Sequence, residues 1–395
     1  MSTKSQDRLL QALHLPPPDT DAQAISDALV THIRQVMADN GGMLDFARFM
    51  ELCLYAPGLG YYSAGMRKLG AGGDFVTAPE VSALFSRCVA MQCLQVLRTT
   101  GGDILEFGAG SGVMAADILL ELEQQQALPP HYFILELSPD LKQRQQQTLK
   151  DKAPHLCDRV EWLNTLPESF TGVVLANEVL DAMPVHVFDI KNREACERNV
   201  TWSDDGFAWC DAKTANPELQ TVMNALQQQF DLPEGYCSEI NLAMRGWVTA
   251  VADMLKRGLV ILIDYGYPQR EYYHAQRNRG TLMCHYRHHA HEDPLILTGL
   301  QDITAHVDFT AVAECAADAG LEVAGFATQA HFLTNCGIES FLAGMSASDL
   351  QAVSAQVKKL VLPNAMGELF KVLALLKDVE EPAIGFTNFD MRSRL

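Results

Sequence analysis

Several features that would place this chain at once are missing from it. Of its 395 residues, 30 are Lys or Arg against 49 Asp or Glu, a formal net charge of −19. An extended nucleic-acid surface needs clustered cations to neutralise phosphates, so that class is disfavoured. A basic peptide or protein substrate is compatible with such a charge. No apolar run approaches the ~20 residues that cross a bilayer, which predicts no membrane span. The ten cysteines include no C-x-x-C pair, so neither a disulfide framework nor a zinc site is expected and they read as reduced thiols. The opening MSTKSQDRLLQALHLPPPD has neither an apolar signal core nor Arg-rich, acid-poor transit composition, from which a cytoplasmic location is expected. There is no internal repeat. With 48% hydrophobic residues, the length allows a full α/β core with one or two appendages.

What is present is concentrated in DILEFGAGSGVMAADILLELEQQQALPPHYFILELS, Asp103 to Ser138. A short apolar run, Ile104-Leu105-Glu106-Phe107, is followed by glycines at alternate positions, Gly108, Gly110 and Gly112. Val113, Ala116 and Leu120 then take up helical spacing, and Tyr132-Phe133-Ile134-Leu135 ends on Glu136. The pattern predicts strand, glycine turn, helix, strand, a βαβ unit of the nucleotide-binding kind. Glycines let the backbone approach a ligand, and the N–H groups opening a helix suit a carboxylate or phosphate. Glu136, ending the second strand, is expected to accept from both hydroxyls of a ribose.

The choice of nucleoside turns on charge. The turn reads G-x-G-x-G after an acid, Glu106, whereas the dinucleotide fingerprint is G-x-G-x-x-G. A carboxylate is unwelcome beside a pyrophosphate but suits the amino group of an amino-acid moiety. S-adenosylmethionine has that amino group, a ribose and no phosphate, so it is the expected cofactor, with Glu106, Gly108, Gly110, Gly112 and Glu136 as binding residues.

Along the chain, Ile25, Leu29, Ile33 and Val36 predict an amphipathic packing helix. The stretch Gly70–Glu80, with Gly73, Asp74 and Thr77, reads as a glycine-hinged lid over the cofactor. Gly172-Val173-Val174-Leu175-Ala176 is a clear strand that runs out into Asn177-Glu178-Val179-Leu180-Asp181, where open sheets bind ligands. A hairpin around Asp205-Gly206 marks a β-rich insertion, and Leu259–Ile263 resumes the core. The expected organisation is a helical region with the lid over 1–102, a core over 103–184 and 241–395, and the insertion over 185–240. The histidines near His285–His291 lack zinc-ligand spacing and a supporting shell, so no metal is expected.

Seven separated motifs then agree: GDFVTAPE (73–80), LEFGAGSG (105–112), NEVLDAMPV (177–185), IDYGY (263–267), GTLMCHYRH (280–288), DITAHVDF (302–309) and MGELFKVLAL (366–375). Together they resemble the MidA family of class I S-adenosylmethionine-dependent methyltransferases, over roughly residues 40 to 377. The resemblance implies a Rossmann-like, seven-stranded, mostly parallel sheet and a protein arginine as methyl acceptor. Mitochondrial members of that family assemble respiratory complex I and methylate an arginine of one of its subunits. It also implies cofactor contacts at Gly73, Asp74, Thr77, Gly108, Gly110 and Glu136. Glu178 and Asp181 are read as a carboxylate fork for a guanidinium, with Asn177, itself also counted as a cofactor contact, and His306 as further candidate catalytic residues. A capping role for Asp181 and a solvated turn at Glu178 are the plainer alternatives. Two rival functions stay open: an assembly module retaining the fold, or a methyltransferase of another acceptor. Base-methylating enzymes carry Asn/Asp-Pro-Pro-aromatic after the fourth strand, where this chain has Asn177-Glu178-Val179-Leu180, so nucleic acid is the weaker rival. A homodimer is allowed.

Overall fold

The computed structural model describes residues 10–64 and 77–395, in two compact units. The larger comprises 77–180, 245–269 and 307–395. Its sheet is built from β1 (Asp103–Phe107), β2 (Tyr132–Leu135), β3 (Val160–Leu163), β4 (Phe170–Asn177), β5 (Leu255–Tyr267), β6 (Val307–Asp308), β7 (Glu322–Thr328) and β8 (Phe370–Lys377). The strand order is β7-β8-β5-β4-β1-β2-β3, with β6 paired in parallel to the end of β5. The seven expected strands form the continuous order, and the two-residue β6 makes an eighth.

Strands β3, β2, β1, β4 and β5 run parallel, while β8 lies antiparallel between β5 and β7. Strands covered on both faces need apolar runs without alternation. Val173 to Ala176, Leu259 to Ile263 and Val372 to Leu376 are such runs, and all are buried. Helices α1 (Ala83–Thr100) and α2 (Val113–Gln124) bury Phe85, Val89, Ala115, Ile118 and Leu119 in the core of this unit. Helix α3 (Pro139–Lys152) differs, burying only Gln145 and Leu149. The apolar run Phe370–Leu375 is strand.

The smaller unit comprises 10–64, 181–244 and 270–306. An antiparallel sheet orders Met43–Asp45, Glu194–Ser203, His186–Lys191 and Cys237–Ile240, and Gly206–Ala212 pairs with Glu194–Ser203. Ser203 opposite Gly206 closes the hairpin expected at Asp205-Gly206. A three-stranded sheet joins Met283–Tyr286 to His289–His291 and Asp302–Thr304. Leu29, Ile33, Phe46, Phe49, Val187, Val200, Cys284 and Ile303 form its core.

Among the described residues no helix is long and apolar enough to cross a membrane. No group of three or more His, Cys, Asp or Glu among them could hold a metal ion.

Candidate functional site

In the larger unit the carboxyl ends of β1, β2 and β4 gather the glycine turn, Glu136, Asn177 and Glu178. Gly108, Gly110 and Gly112 all have positive φ, at 58°, 53° and 82°. Gly112 also has no room for a side chain, since a Cβ there would sit 2.9 Å from Gln145 Cα. Gly108 N–H donates to Leu135 O at 3.1 Å, tying the turn to the end of β2. Helix α2 follows Gly112, which offers no side-chain cap, and has no acid in its first turn. Its opening N–H groups therefore suit a carboxylate ligand.

Glu106 is buried in β1, and Tyr132 OH donates to its Oε2 at 2.7 Å. Burial pushes its carboxyl up to about 7, partly offset by the Tyr132 hydrogen bond and reinforced by the charge of Glu136. Glu136 follows β2 and is half-buried. Its Oε1 accepts from Ser138 N–H at 2.8 Å and its Oε2 from Gln145 Nε2 at 2.9 Å. Burial raises this carboxyl too, and those two donors pull it back. Leu137, the next residue, is an apolar side chain 74% exposed.

At the end of β4, Asn177 Nδ2 donates to Glu178 Oε1 at 3.1 Å, while Asn177 Oδ1 is buried without a partner among the described residues. Such an orphaned acceptor suits a ligand donor. Glu178 is held at φ 53°, in the left-handed region, with its N–H donating to Ile263 O at 2.9 Å. Asp264, buried at the end of β5, accepts from Leu180 N–H at 3.0 Å and so fixes the segment beyond Glu178. Thr77 precedes the single turn Ala78–Val81 without capping it, and Glu80 in that turn accepts from the Ser111 hydroxyl of the glycine turn. Gly73 and Asp74, with the rest of the expected lid from 65 to 76, lie outside the described residues.

Asp181 and His306 belong to the smaller unit. There Asp181 is 4% exposed, and its carbonyl accepts from Ala305 N–H at 2.9 Å, next to His306. His306 N–H donates to Thr281 Oγ1 at 3.0 Å. Thr281 in turn donates its N–H and hydroxyl to the buried Glu239, each at 2.9 Å. Tyr62 OH donates to Asp302 Oδ1 at 2.9 Å, and burial, then the charge of Asp302, holds that phenol well above its usual range.

The sequence reading missed Gln145, Trp162, Ser111 and Asp264. Gln145 sits on a helix of mostly polar residues, QRQQQ, where nothing in the pattern marks one glutamine as buried. Asp264 stands in the motif IDYGY, but its grip on Leu180 is long-range.

Comparison with known proteins identifies the family. Residues 88–327 match a family described as S-adenosyl-L-methionine-dependent methyltransferases. The chain is similar to the zebrafish mitochondrial protein arginine methyltransferase NDUFAF7, 26% identical, with 94% of this chain and 95% of that protein covered. The Drosophila melanogaster homologue is 27% identical, with 94% and 93% covered. A Burkholderia thailandensis protein crystallised with S-adenosyl-homocysteine is 45% identical, with a TM-score of 0.93 over 96% of this chain and 100% of that one. One expectation is overturned: the zebrafish and Drosophila relatives are mitochondrial proteins, which conflicts with a cytoplasmic location. That expectation rested on the composition of a short opening stretch, a far weaker signal than similarity along nearly the whole chain. The chain belongs to this methyltransferase family, and it is an enzyme whose cofactor is S-adenosylmethionine.

Proposed function

We propose that the enzyme transfers a methyl group to an arginine side chain of a protein partner. The observation that carries this reading is Glu178, an acid kept at φ 53° where β4 ends. A non-glycine residue in that conformation costs about 1–2 kcal/mol and persists at sites where the surroundings over-determine it. The curated relatives, named protein arginine methyltransferases, support the same acceptor.

Bound at the glycine turn, S-adenosylmethionine supplies a methyl group activated by its sulfonium. The turn and the uncapped start of α2 receive its amino-acid carboxylate, Glu106 and Asn177 Oδ1 its amino group, and Glu136 its ribose hydroxyls. Leu137 offers an apolar side chain to the base. Glu178 pairs with the acceptor guanidinium. Pairing localises the delocalised charge and leaves one nitrogen with a usable lone pair. As the N–C bond forms and the C–S bond breaks, S-adenosylhomocysteine leaves. The nitrogen then loses a proton through the carboxylate to solvent. Much of the acceleration comes from holding nitrogen, carbon and sulfur in line.

The test is incubation with methyl-labelled S-adenosylmethionine and extract from a deletion strain, followed by mapping of the labelled residue, with respiratory complex I subunits the first proteins to inspect. Label on an arginine nitrogen is expected. Label on lysine, a carboxylate, a nucleic acid or a small molecule would remove the arginine reading.

A further inference from the structure

We propose that Gln145 is a positioning residue for the cofactor ribose, and that Trp162 sets which way round its carboxamide lies. The proposal rests on the assignment of Glu136 to the ribose hydroxyls.

Gln145 is fully buried, and a buried carboxamide is costly unless its polar atoms are matched. Here they are. Its Nε2 donates to Glu136 Oε2 at 2.9 Å and to Gly110 O at 3.1 Å, while its Oε1 accepts from Trp162 Nε1 at 2.9 Å. One side chain thus joins the glycine turn, the carboxylate after β2 and the third strand.

The orientation of a carboxamide is normally ambiguous, because oxygen and nitrogen look alike. In this network it is determined. An indole N–H can only donate, so the Gln145 oxygen must face Trp162. The two amide hydrogens then face a carboxylate and a carbonyl, both of which only accept. A flipped carboxamide would set oxygen against oxygen on one side and N–H against N–H on the other. Trp162 therefore acts on Glu136 through Gln145. With one oxygen held by Ser138 N–H and the other by Gln145, the Glu136 carboxylate is fixed, and part of its roughly four-site acceptor capacity remains for a vicinal diol. Gly112, which admits no Cβ beside Gln145 Cα, keeps the helix close enough for these bonds.

The experiment compares S-adenosylhomocysteine with its 2′-deoxy analogue by calorimetry on wild type, Gln145→Met and Trp162→Phe, with a thermal melt of each. Wild type should prefer the hydroxyl-bearing compound by about tenfold or more, the range for a hydrogen bond to a charged group. Both variants should lose roughly tenfold for S-adenosylhomocysteine and little for the analogue, so that the preference falls to about threefold or less. If Gln145→Met does not fold, Trp162→Phe, at a half-buried position, carries the test alone. Equal losses for both compounds, with the preference intact, would show a merely structural side chain and overturn the proposal. A wild type that binds both compounds equally would overturn the ribose assignment of Glu136 beneath it.

Discussion

Glu136 and Glu178 follow the two strands that flank β1, yet they are held in opposite ways. Glu136 is fixed by donors to its side chain, from Ser138 N–H and Gln145. Glu178 is fixed through its main chain, at a strained φ of 53° with its N–H on Ile263 O. The first arrangement consumes carboxylate lone pairs and sets a rigid acceptor, which suits a ligand of constant shape such as a nucleoside. The second anchors the backbone while the side chain accepts from its neighbour Asn177 Nδ2, which suits a cationic group arriving from outside. On the proposed function, the difference separates a cofactor carboxylate from an acceptor carboxylate.

The largest effect should come from the acceptor side. Losing one partner of a desolvated charge pair costs about 2–5 kcal/mol, so Glu178→Gln should slow single-turnover methyl transfer by about 30-fold or more. Affinity for S-adenosylmethionine should move by less than about threefold in the same variant.

Glu106 is neither strained nor multiply bonded, and its signature is pH. Its carboxyl lies at about 7 in the folded protein against an ordinary 4.5, raised chiefly by burial. A raised folded value means that its contribution to stability is fully present below pH ~4.5 and is lost as pH climbs through ~7. Denaturant unfolding of Glu106→Gln and wild type at pH 5 and pH 8 should therefore differ. Relative to wild type, the variant should gain up to ~3 kcal/mol over that interval, at about 1.4 kcal/mol per unit. Asp308, also raised to about 7 by burial, titrates in both proteins and cancels in the difference. A flat difference across the window would mean that Glu106 is not buried as described.

On the cofactor side, Glu136→Ala should cost about 1–3 kcal/mol of S-adenosylmethionine affinity, read by calorimetry. The smallest effect isolates the strain. Glu178→Gly should be more stable than Glu178→Ala by about 1 kcal/mol, because only glycine occupies the left-handed region freely. Equal stabilities would mean that the backbone at Glu178 relaxes once the side chain is gone.

The βαβ unit that carries Glu106 and Glu136 was legible in the sequence, and the main-chain setting of Glu178 was not. Alternate glycines, an acid before them and an acid after the next strand are local signals whose spacing fixes a βαβ unit. Apolar runs such as Val173–Ala176 and Leu259–Ile263 likewise announced strands buried on both faces. The pairing of β8 between β5 and β7 joins segments far apart in the chain, and an apolar run such as Phe370–Leu375 is ambiguous until its partners are known. Gln145 and Asp264 were hidden for the same reason: their partners are Trp162, Glu136 and Gly110 for one and Leu180 for the other, and no local pattern names them. The positive φ of Glu178 could not be read at all, since glutamate gives no sign of it.

The most direct test of the contrast is a paired measurement on Glu136→Ala and Glu178→Gln: titration with S-adenosylhomocysteine beside single-turnover methyl transfer at saturating S-adenosylmethionine on the identified acceptor. A crossed result is expected, in which Glu136→Ala loses cofactor affinity but keeps most of its saturated rate and Glu178→Gln keeps affinity but loses about 30-fold or more in rate. Parallel losses of both quantities in both variants would contradict it, because the two carboxylates would then serve one ligand or the fold itself.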